Sequence, residues 1–470
     1  MNGSTNGSSQ PGAFTGAASA PVSAAATELR QRTLSASALL QSCQACRQDG
    51  LDAYQTWSPE FAERQATAAD SAFHAGIDTG PLQGIPVSVK DLFGVDGLPT
   101  YAGTPRELSC KWRRQGPLID RLRGQLGVVV GKTRTVEFAF GGLGTNVHWG
   151  TPRNPYDQSR VSGGSSSGAG VSVAEGSALL ALGTDTAGSA RIPASMCGVA
   201  GLKTTRGRWS IDGIVPLSPS LDTPGVIARS ARDLAYAFRA LDRYHPEAVP
   251  RPPAAPPASA INLAVPEMFF WEDCEPGIAE AVQNVCRTIA TAGPTVATGE
   301  LPGVEEAYRH FRTGGLAAPE LDRFLADELP EWRATLDPAV QRRMDAAENL
   351  SARNYLHRKA RQQALSREAA TAFAHVDAFV TPTVPVTPPR VDGIATPETY
   401  DPVNLLALRN TAVVNYLDLC AVTIPIGLDA AGMPVGLQLI GAPNHEERVL
   451  ALAETIEQLV GRGSNGIPDN

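Results

Sequence analysis

Short apolar segments bounded by glycine alternate along this chain with segments of helical periodicity, and this alternation constrains the fold most. The pattern predicts strands at 84–90, 127–131 and 177–183, and helices that begin near Ile119 and Gly168. Strands that alternate with helices are typical of a sheet with parallel neighbours. We therefore expect an α/β core with extensive parallel pairing.

The second half of the chain adds strands and a long helical region. Residues 246–260 form a connector rich in proline and alanine, and residues 300–400 are mainly helical and charged. The apolar runs 421–427 and 434–441 read as paired strands. We expect them to rejoin the early sheet, so that residues 28–465 form a single domain.

The ends and the charge of the chain exclude several classes of protein. Residues 1–27 hold too little apolar surface to order themselves, so we predict a disordered tail. This segment lacks the features of a signal peptide, and no apolar run reaches the length of a membrane span. With 40 Lys and Arg against 48 Asp and Glu, the formal charge is -8, which argues against nucleic-acid and membrane partners.

The cysteines indicate a reducing compartment. The seven cysteines are scattered along the chain, and free thiols in a cytoplasmic protein are the simplest interpretation. Cys43 and Cys46 form a lone CxxC in a predicted helix, with no second pair at zinc spacing. We therefore interpret them as small core residues and expect no metal site.

Two stretches rich in serine and glycine are the candidates for chemistry: SGGSSSGAG at 162–170 and GTDTAGSARIP at 183–193. A phosphate-binding loop needs a lysine directly after its last glycine, but Ala169 follows Gly168. A Ser-His-Asp hydrolase is equally disfavoured. None of the seven histidines has a distinctive setting, and the GxSxG pattern is absent around Ser189.

Lysine is the remaining candidate for a base. The chain has five lysines against thirty-five arginines, and Lys90 ends an apolar strand. An apolar setting lowers the pKa of a lysine, and the neutral amine can then accept a proton. Lys132 has a similar local setting, so composition alone leaves both lysines open.

Four spaced motifs carry a resemblance to a known family: GIPVSVKD from Gly84, GGSSSG from Gly163, GTDTAGSARIPA from Gly183 and PVGLQLIG from Pro434. In this order they resemble the amidase signature family, and the resemblance runs from about residue 28 to residue 461. It implies an α/β fold in which a large mixed β-sheet lies between helical layers.

The resemblance also implies a Ser-Ser-Lys triad. The family's base falls on Lys90, its bridging serine on Ser165 and its nucleophile on Ser189, and a cis peptide bond is expected between Gly164 and Ser165. Ser189 would attack the carbonyl carbon while neutral Lys90 takes its proton through Ser165 and returns it to the leaving amine. The triad supplies both nucleophile and base, so we expect no cofactor.

The residues around the nucleophile have expected roles. The backbone N–H groups of Thr186, Ala187, Gly188 and Ser189 are expected to form the oxyanion hole. The sequence departs from the family where Ala187 replaces a glycine. Ser167 replaces another glycine, which changes the volume beside the bridging serine.

Two charged residues flank the nucleophile. Asp185 and Arg191 lie in what we expect to be a dry site, where an unpaired charge is costly. We favour a structural pair that anchors the loop over a catalytic role.

The substrate is less constrained than the reaction. In the family the loop at Gly141 and Gly142 lies against the substrate, and the insert at 300–400 is expected to wall the pocket. The aromatic residues of this insert are Tyr308, Phe311, Phe324, Trp332 and Tyr355. If they line the pocket, apolar or aryl amides and carbamates are favoured.

Two alternatives stay open beside this small-molecule amidase or urethanase, which we expect to be a monomer or homodimer. One is a ureide hydrolase of the allophanate or biuret type. The other is a glutamine amidotransferase subunit that works only with partner chains. The sequence alone does not separate these three substrate classes.

Overall fold

The structure, a computed structural model, describes residues 16–242, 258–345 and 350–461. Within these ranges eleven strands form one sheet in the order β1-β3-β2-β4-β6-β5-β10-β11-β9-β7-β8. The strands are β1 (Tyr54–Trp57), β2 (Pro86–Lys90), β3 (Val128–Thr133), β4 (Leu180–Asp185), β5 (Ala200–Lys203), β6 (Thr223–Ala228), β7 (Asn262–Val265), β8 (Thr295–Thr298), β9 (Ala378–Pro382), β10 (Cys420–Leu428) and β11 (Pro434–Gly441).

Helices connect these strands and cover them. They are α1 (Val22–Gln31), α2 (Ala36–Cys46), α3 (Pro59–His74), α4 (Pro117–Gly124), α5 (Ser167–Ala174), α6 (Arg191–Met196), α7 (Ala231–Asp242), α8 (Ile278–Thr291), α9 (Val304–Arg312), α10 (Ala317–Glu328), α11 (Pro338–Asp345), α12 (Ala352–Ala370), α13 (Pro397–Tyr416) and α14 (Glu446–Val460).

The sheet is mixed, as the resemblance implies. β2 pairs in parallel with β3 and β4, and β7 pairs in parallel with β8 and β9. The other pairs are antiparallel, so parallel pairing is less extensive than the strand–helix alternation predicts. The predicted pairing of the two late strands is confirmed, because β10 and β11 are antiparallel neighbours and β10 joins the early strand β5.

The central strands are covered on both faces. Every residue of β2, β4, β6 and β11 is buried, although side chains in a strand point alternately to opposite faces. Burial on both faces requires helices on both sides of the sheet. Helices α7 and α14 contact each other and pack on the sheet, as do α5 and α6. The predicted α/β architecture with helical layers is confirmed.

A helix begins inside the segment that the sequence predicts to be disordered. α1 begins at Val22, inside the segment 1–27 that we expect to be a disordered tail. Val22 and Ala25 are buried, and the Val22 N–H donates to Asp233 at 2.8 Å. The small alanine side chains pack closely against α7, so little apolar area suffices to order this helix. Residues 1–15 lie outside the described residues.

The predictions for the connector at 246–260 and for the helical insert at 300–400 compare differently with the structure. Most of the connector at 246–260 lies outside the described residues, which resume at residue 258. The region 300–400 carries α9 to α12 as predicted. However, it also contains β9, which pairs with β7 and β11 inside the sheet, so the helical insert ends before residue 378.

Membrane spans and metal clusters are both missing from the described part of the chain. None of the helices within these ranges combines the length and the hydropathy that a bilayer crossing needs. Among the same residues, no group of three or more His, Cys, Asp or Glu side chains is placed to hold a metal ion.

Candidate active site

Lys90 and Ser165 meet at the end of a central strand. Lys90 is the last residue of β2 and is fully buried. Its Nζ donates to Ser165 Oγ and to Thr184 Oγ1, each at 2.7 Å. Thr184 lies on β4, the parallel neighbour of β2. The carboxyl ends of these two strands therefore bring the Lys90 and Thr184 side chains together. Sequence reasoning missed Thr184, although it stands beside the predicted nucleophile loop.

The surroundings of Lys90 favour a neutral amine. Burial lowers the pKa of Lys90 from 10.5 to about 7, and the negative charges of Asp222 and Asp185 oppose this shift. Among the described residues, no carboxylate forms an ion pair with Lys90. A substantial fraction of the amine is therefore unprotonated near neutral pH and can accept a proton.

Lys132, the other lysine that composition left open as a base, lies in a buried ion pair. Its Nζ lies 2.8 Å from Asp91 Oδ1, and both side chains are fully buried. It also donates to the Pro99 carbonyl at 3.1 Å. Lys132 is thus held in a buried ion pair, whereas Lys90 contacts a serine hydroxyl.

The two serine loops lie next to each other. Ser165 stands just before α5 and Ser189 just before α6, and the Ser166 N–H donates to the Ser189 carbonyl at 3.1 Å. The peptide bond between Gly164 and Ser165 is cis, as the resemblance implies. The structure therefore brings the three predicted triad residues to one end of the sheet, with Ser189 lining a cavity.

Three of the four predicted oxyanion donors are available. The backbone N–H groups of Thr186, Ala187 and Ser189 have no acceptor among the described residues, and all three residues line the cavity. Gly188 differs from the prediction, because its N–H donates to Asp185 Oδ1 at 2.8 Å. The carboxylate occupies this donor as it caps the start of α6.

Close packing explains the glycine at position 188. Its φ is +131°, and a Cβ would lie 2.1 Å from Thr411 Oγ1. The same threonine hydroxyl donates to the Ala187 carbonyl at 2.7 Å. Backbone position 188 therefore accepts no side chain, while position 187 accommodates its alanine.

The predicted pairing of Asp185 and Arg191 is confirmed. Their side chains are fully buried and lie 2.9 Å apart. Burial raises the pKa of Asp185, but the Arg191 guanidinium outweighs it and holds this pKa below its usual range. Arg191 also donates to Gln438 Oε1 and to Asn415 Oδ1, each at 2.6 Å. The pair therefore ties the nucleophile loop to β11 and α13.

Asp222 holds the loop that contains Thr186. Its Oδ1 accepts the Thr186 hydroxyl at 2.6 Å, and its Oδ2 accepts the N–H groups of Leu217 and Ser218 at 3.0 and 2.9 Å. Burial raises the pKa of Asp222 to about 6. Sequence reasoning missed this residue, because a lone aspartate in a loop carries no periodic signal.

A cavity of about 1010 Å³ opens above Ser189, solvent at its mouth included. Most of its wall is apolar. The apolar side chains of the wall include Ala139, Phe140, Ala187, Leu217, Leu221, Phe311, Ala317, Leu405 and Leu408. Gly141 lines this cavity as predicted. Gly142 is not among the lining residues. Its N–H donates to Asn404 Oδ1 at 2.8 Å.

The aromatic residues of the helical insert mostly serve packing. Phe311 lines the cavity. Phe324 packs edge-on against Trp112 with ring centroids 5.4 Å apart, and Trp332 is buried and donates to Thr104 Oγ1 at 3.2 Å. Tyr355 donates to Glu320 Oε1 at 2.7 Å. The insert therefore contributes fewer aromatic contacts to the cavity than the composition suggests.

The mouth of the cavity is cationic, which sequence reasoning did not foresee. Arg312, Arg342 and Arg343 line it together with a single acid, Asp401. Arg342 lies 3.3 Å from Asp401 in a partly exposed ion pair. The charged side chains of the lining therefore sum to +2, which favours an anionic ligand.

The fold and the site together indicate the family to which the chain belongs. A mixed sheet between helical layers carries a buried lysine against a serine hydroxyl, beside free backbone donors in a cavity. A family model described as Amidase matches residues 36–450, and the chain belongs to this amidase signature family. The protein is an amidohydrolase that acts on C–N bonds.

The chain is also similar to individual proteins of the family. The chain is 52% identical over 451 residues to 2-amino-5-chloromuconic acid deaminase from Comamonas testosteroni, covering 94% of this chain and 97% of that protein. It is 33% identical over 440 residues to a glutamyl-tRNA(Gln) amidotransferase subunit from Geobacter metallireducens, with 87% and 90% covered. A solved amidase structure superimposes with a TM-score of 0.84 at 30% identity, covering 94% of this chain and 100% of that chain.

Proposed function

We propose that the protein is a hydrolytic deaminase that releases ammonia from a small unsaturated amino acid of the 2-aminomuconate type. The observation that carries the proposal is the 52% identity, over nearly the whole of both chains, to a deaminase of 2-amino-5-chloromuconic acid. The cationic mouth supports it independently, since a muconic acid carries two carboxylates. The proposal therefore replaces our expectation of an uncharged substrate.

We assign the catalytic roles to Ser189 as nucleophile, Ser165 as proton relay and Lys90 as base. The contact of 2.7 Å between Lys90 Nζ and Ser165 Oγ supports the relay. A hydroxyl suits this position because it both donates and accepts hydrogen bonds. The lowered pKa of Lys90, about 7, supports its role as base near neutral pH.

The proposed reaction proceeds through the protonated imine tautomer of the substrate. Ser189 Oγ adds to the carbon of the C=N bond, and its proton passes through Ser165 to Lys90 and on to the nitrogen, which then leaves as ammonia. Water adds to the resulting oxocarbenium carbon and gives one proton to Lys90. The N–H groups of Thr186 and Ala187 stabilise the hydroxyl oxygen of this hemiketal as it becomes the carbonyl oxygen of a 2-oxo acid. The hydroxyl proton passes to Ser189 Oγ as its bond to carbon breaks, and Lys90 gives its proton to the ammonia, so one water is consumed for each ammonium released.

Ammonia release tests this function. The purified chain is given 2-aminomuconate, 2-amino-5-chloromuconate, an anilide, an aryl carbamate, an allophanate and glutamine, and the products are quantified. We expect turnover of the aminomuconates and its loss in Ser189→Ala. Turnover of one of the other substrates, with none of either aminomuconate, would refute the proposal.

The same panel decides a second candidate, an aryl amidase or urethanase. The apolar wall with Phe140, Phe311 and Leu408 favours it. An amide would acylate Ser189, and water would release the acid. A carbamate would leave an alkoxycarbonyl group on Ser189, whose hydrolysis gives an alcohol and carbon dioxide. Preference for the anilide or the carbamate would select this candidate.

A further inference from the structure

A buried acid of the helical insert contacts the loop that supports the Ser189 site. Glu320 lies on α10 and is 7% exposed. Its Oε2 accepts the Ser218 hydroxyl at 2.7 Å and the Ser220 N–H at 3.1 Å. A buried carboxylate is costly unless hydrogen bonds compensate its charge, so separation of this loop from α10 would leave Glu320 unsatisfied.

The other oxygen of Glu320 fixes the orientation of its carboxylate. Oε1 accepts the hydroxyl of Tyr355, from α12, at 2.7 Å. The helix that carries Glu320 is itself packed, since Leu321, Phe324 and Leu325 are buried. Glu320 therefore presents Oε2 to the loop from a rigid support.

A tight turn connects this support to Thr186. The N–H groups of Leu221 and Asp222 donate to the Ser218 carbonyl at 2.8 and 2.7 Å, which closes the turn. Asp222 accepts the Ser218 N–H at 2.9 Å and the Thr186 hydroxyl at 2.6 Å. Ser218 is thus bound to Glu320 on one side and to Asp222 on the other, and Asp222 holds Thr186.

The same turn is part of the cavity wall, because Leu217 and Leu221 line the cavity. Support of this wall alone would affect how tightly a ligand binds. Support of Thr186 would affect the reaction step, because the Thr186 N–H is a proposed donor to the oxygen that becomes charged in the transition state. Kinetics can therefore separate the two roles.

We propose that Glu320 is a positioning residue that acts through Ser218 and Asp222 to hold Thr186 in place for the reaction of Ser189. Glu320 is not among the residues that line the cavity, so it acts through the turn and not on the substrate. This inference rests on the proposed roles of Thr186 and Ser189, but not on the identity of the substrate.

The test is a double-mutant cycle on the reaction of Ser189 with an alkyl fluorophosphonate. Ser189 Oγ forms a bond to phosphorus, fluoride leaves, and the phosphoryl oxygen takes the position of the substrate's oxygen, so that kinact reports the donors and KI reports binding. We expect Glu320→Ala to lower kinact by about 10- to 100-fold and to leave KI within about threefold. In a Thr186→Val background the same substitution should lower kinact by less than about threefold, because the connection is already broken.

Two further variants are controls for this cycle. Glu320→Gln keeps an acceptor for the Ser218 hydroxyl, so kinact should stay within about threefold of wild type. Glu328→Ala, on the same helix, removes an exposed partner of Lys111 and should change neither constant. Thermal unfolding verifies that each variant folds. Ser218→Ala removes the same hydrogen bond and carries the cycle if Glu320→Ala does not fold.

Several results would overturn the proposal. They are a kinact that falls by equal factors in both backgrounds, a change in KI alone, unchanged constants in Glu320→Ala, a loss in Glu320→Gln as large as in Glu320→Ala, and a wild type that does not react. If the cycle gives the expected result but the aminomuconates are not deaminated, the role of Glu320 stands and the proposed substrate is wrong. If they are deaminated but the two effects on kinact are independent, the proposed function stands and the role of Glu320 fails.

Discussion

The buried groups around the Ser189 loop and the arginines that line the cavity compensate their charges differently. In the first group, here called the floor (Lys90, Asp185 and Arg191), the Asp185 and Arg191 side chains are fully buried and lie 2.9 Å apart. Lys90 carries no acid partner there, but burial lowers its pKa to about 7 so that much of it is neutral. At the mouth, Arg312 and Arg343 have no acid partner among the described residues.

This difference suggests that the floor determines the reaction and that the mouth determines which substrates are bound. The floor is built from strand ends and two short loops, and in the proposed mechanism its buried groups perform C–N hydrolysis on any substrate that reaches Ser189. The mouth is built from α9, α11 and α13, and its unpaired cations act only on substrates that carry a negative charge. We therefore expect substitutions at the floor to affect all substrates alike, and substitutions at the mouth to affect anionic ones.

The largest effect is expected at the floor. Lys90→Met removes the proposed base while keeping an unbranched side chain, so kcat/KM should fall by about 10⁴-fold or more. Because the proton transfer is common to all substrates, the loss should be equal for an anionic and a neutral substrate. Steady-state kinetics on both substrates measures it, with the exposed Lys359→Met as control. Loss restricted to the anionic substrate would contradict the separation.

A smaller effect is expected on stability. Arg191→Met leaves the buried Asp185 without its cation, so the free energy of unfolding should fall by about 3–5 kcal/mol. The exposed pair of Arg323 and Asp327 offers the comparison, and Arg323→Met should cost less than about 1 kcal/mol. Urea unfolding measures both variants. Equal values for the two would show that the floor is no more constrained than the surface.

The smallest effect concerns pH. The neutral form of Lys90 is the proposed base, so kcat/KM should rise about tenfold per pH unit below about 7 and level off above it. The charge of Asp222 raises the pKa of Lys90, so Asp222→Asn should move this rise to lower pH. Asp401→Asn, at the mouth, should leave its midpoint unchanged. If the midpoint of the pH profile moved in Asp401→Asn but not in Asp222→Asn, the mouth and not the floor would control the pKa of Lys90.

The motifs led to residues that the fold brings together. Lys90 donates to Ser165, and the loop of Ser165 contacts the loop of Ser189, whereas the roles of these residues stay a proposal. Local composition did not separate Lys90 from Lys132, because the answer depends on the direction of neighbouring side chains. Successive residues of an extended chain point to opposite sides, so Lys90 meets Ser165 while Asp91, one residue later, pairs with Lys132.

The mouth was not predictable in the same way. Arg343 contacts Phe140 across 203 residues, and a single arginine in a charged helix looks like any solvated residue. Strand β9 (Ala378–Pro382) also lies inside the region 300–400 that the sequence predicts to be mainly helical. At the N-terminus, alanines that pack closely were mistaken for low apolar content. In each case long-range packing decided the outcome, and local periodicity carries no record of it.

The way the sheet is joined has a consequence for the chain as it is synthesised. Strands β1 to β6 come from residues 54–228, and β7 to β11 from residues 262–441. Within the described residues, β5 and β10 are the pair that joins the two groups. A ribosome therefore completes the first group, with its triad, while β5 is an unpaired edge and Arg191 still lacks Gln438. Such edges invite pairing with other chains, so protection of the nascent protein matters most until Cys420–Leu428 emerges.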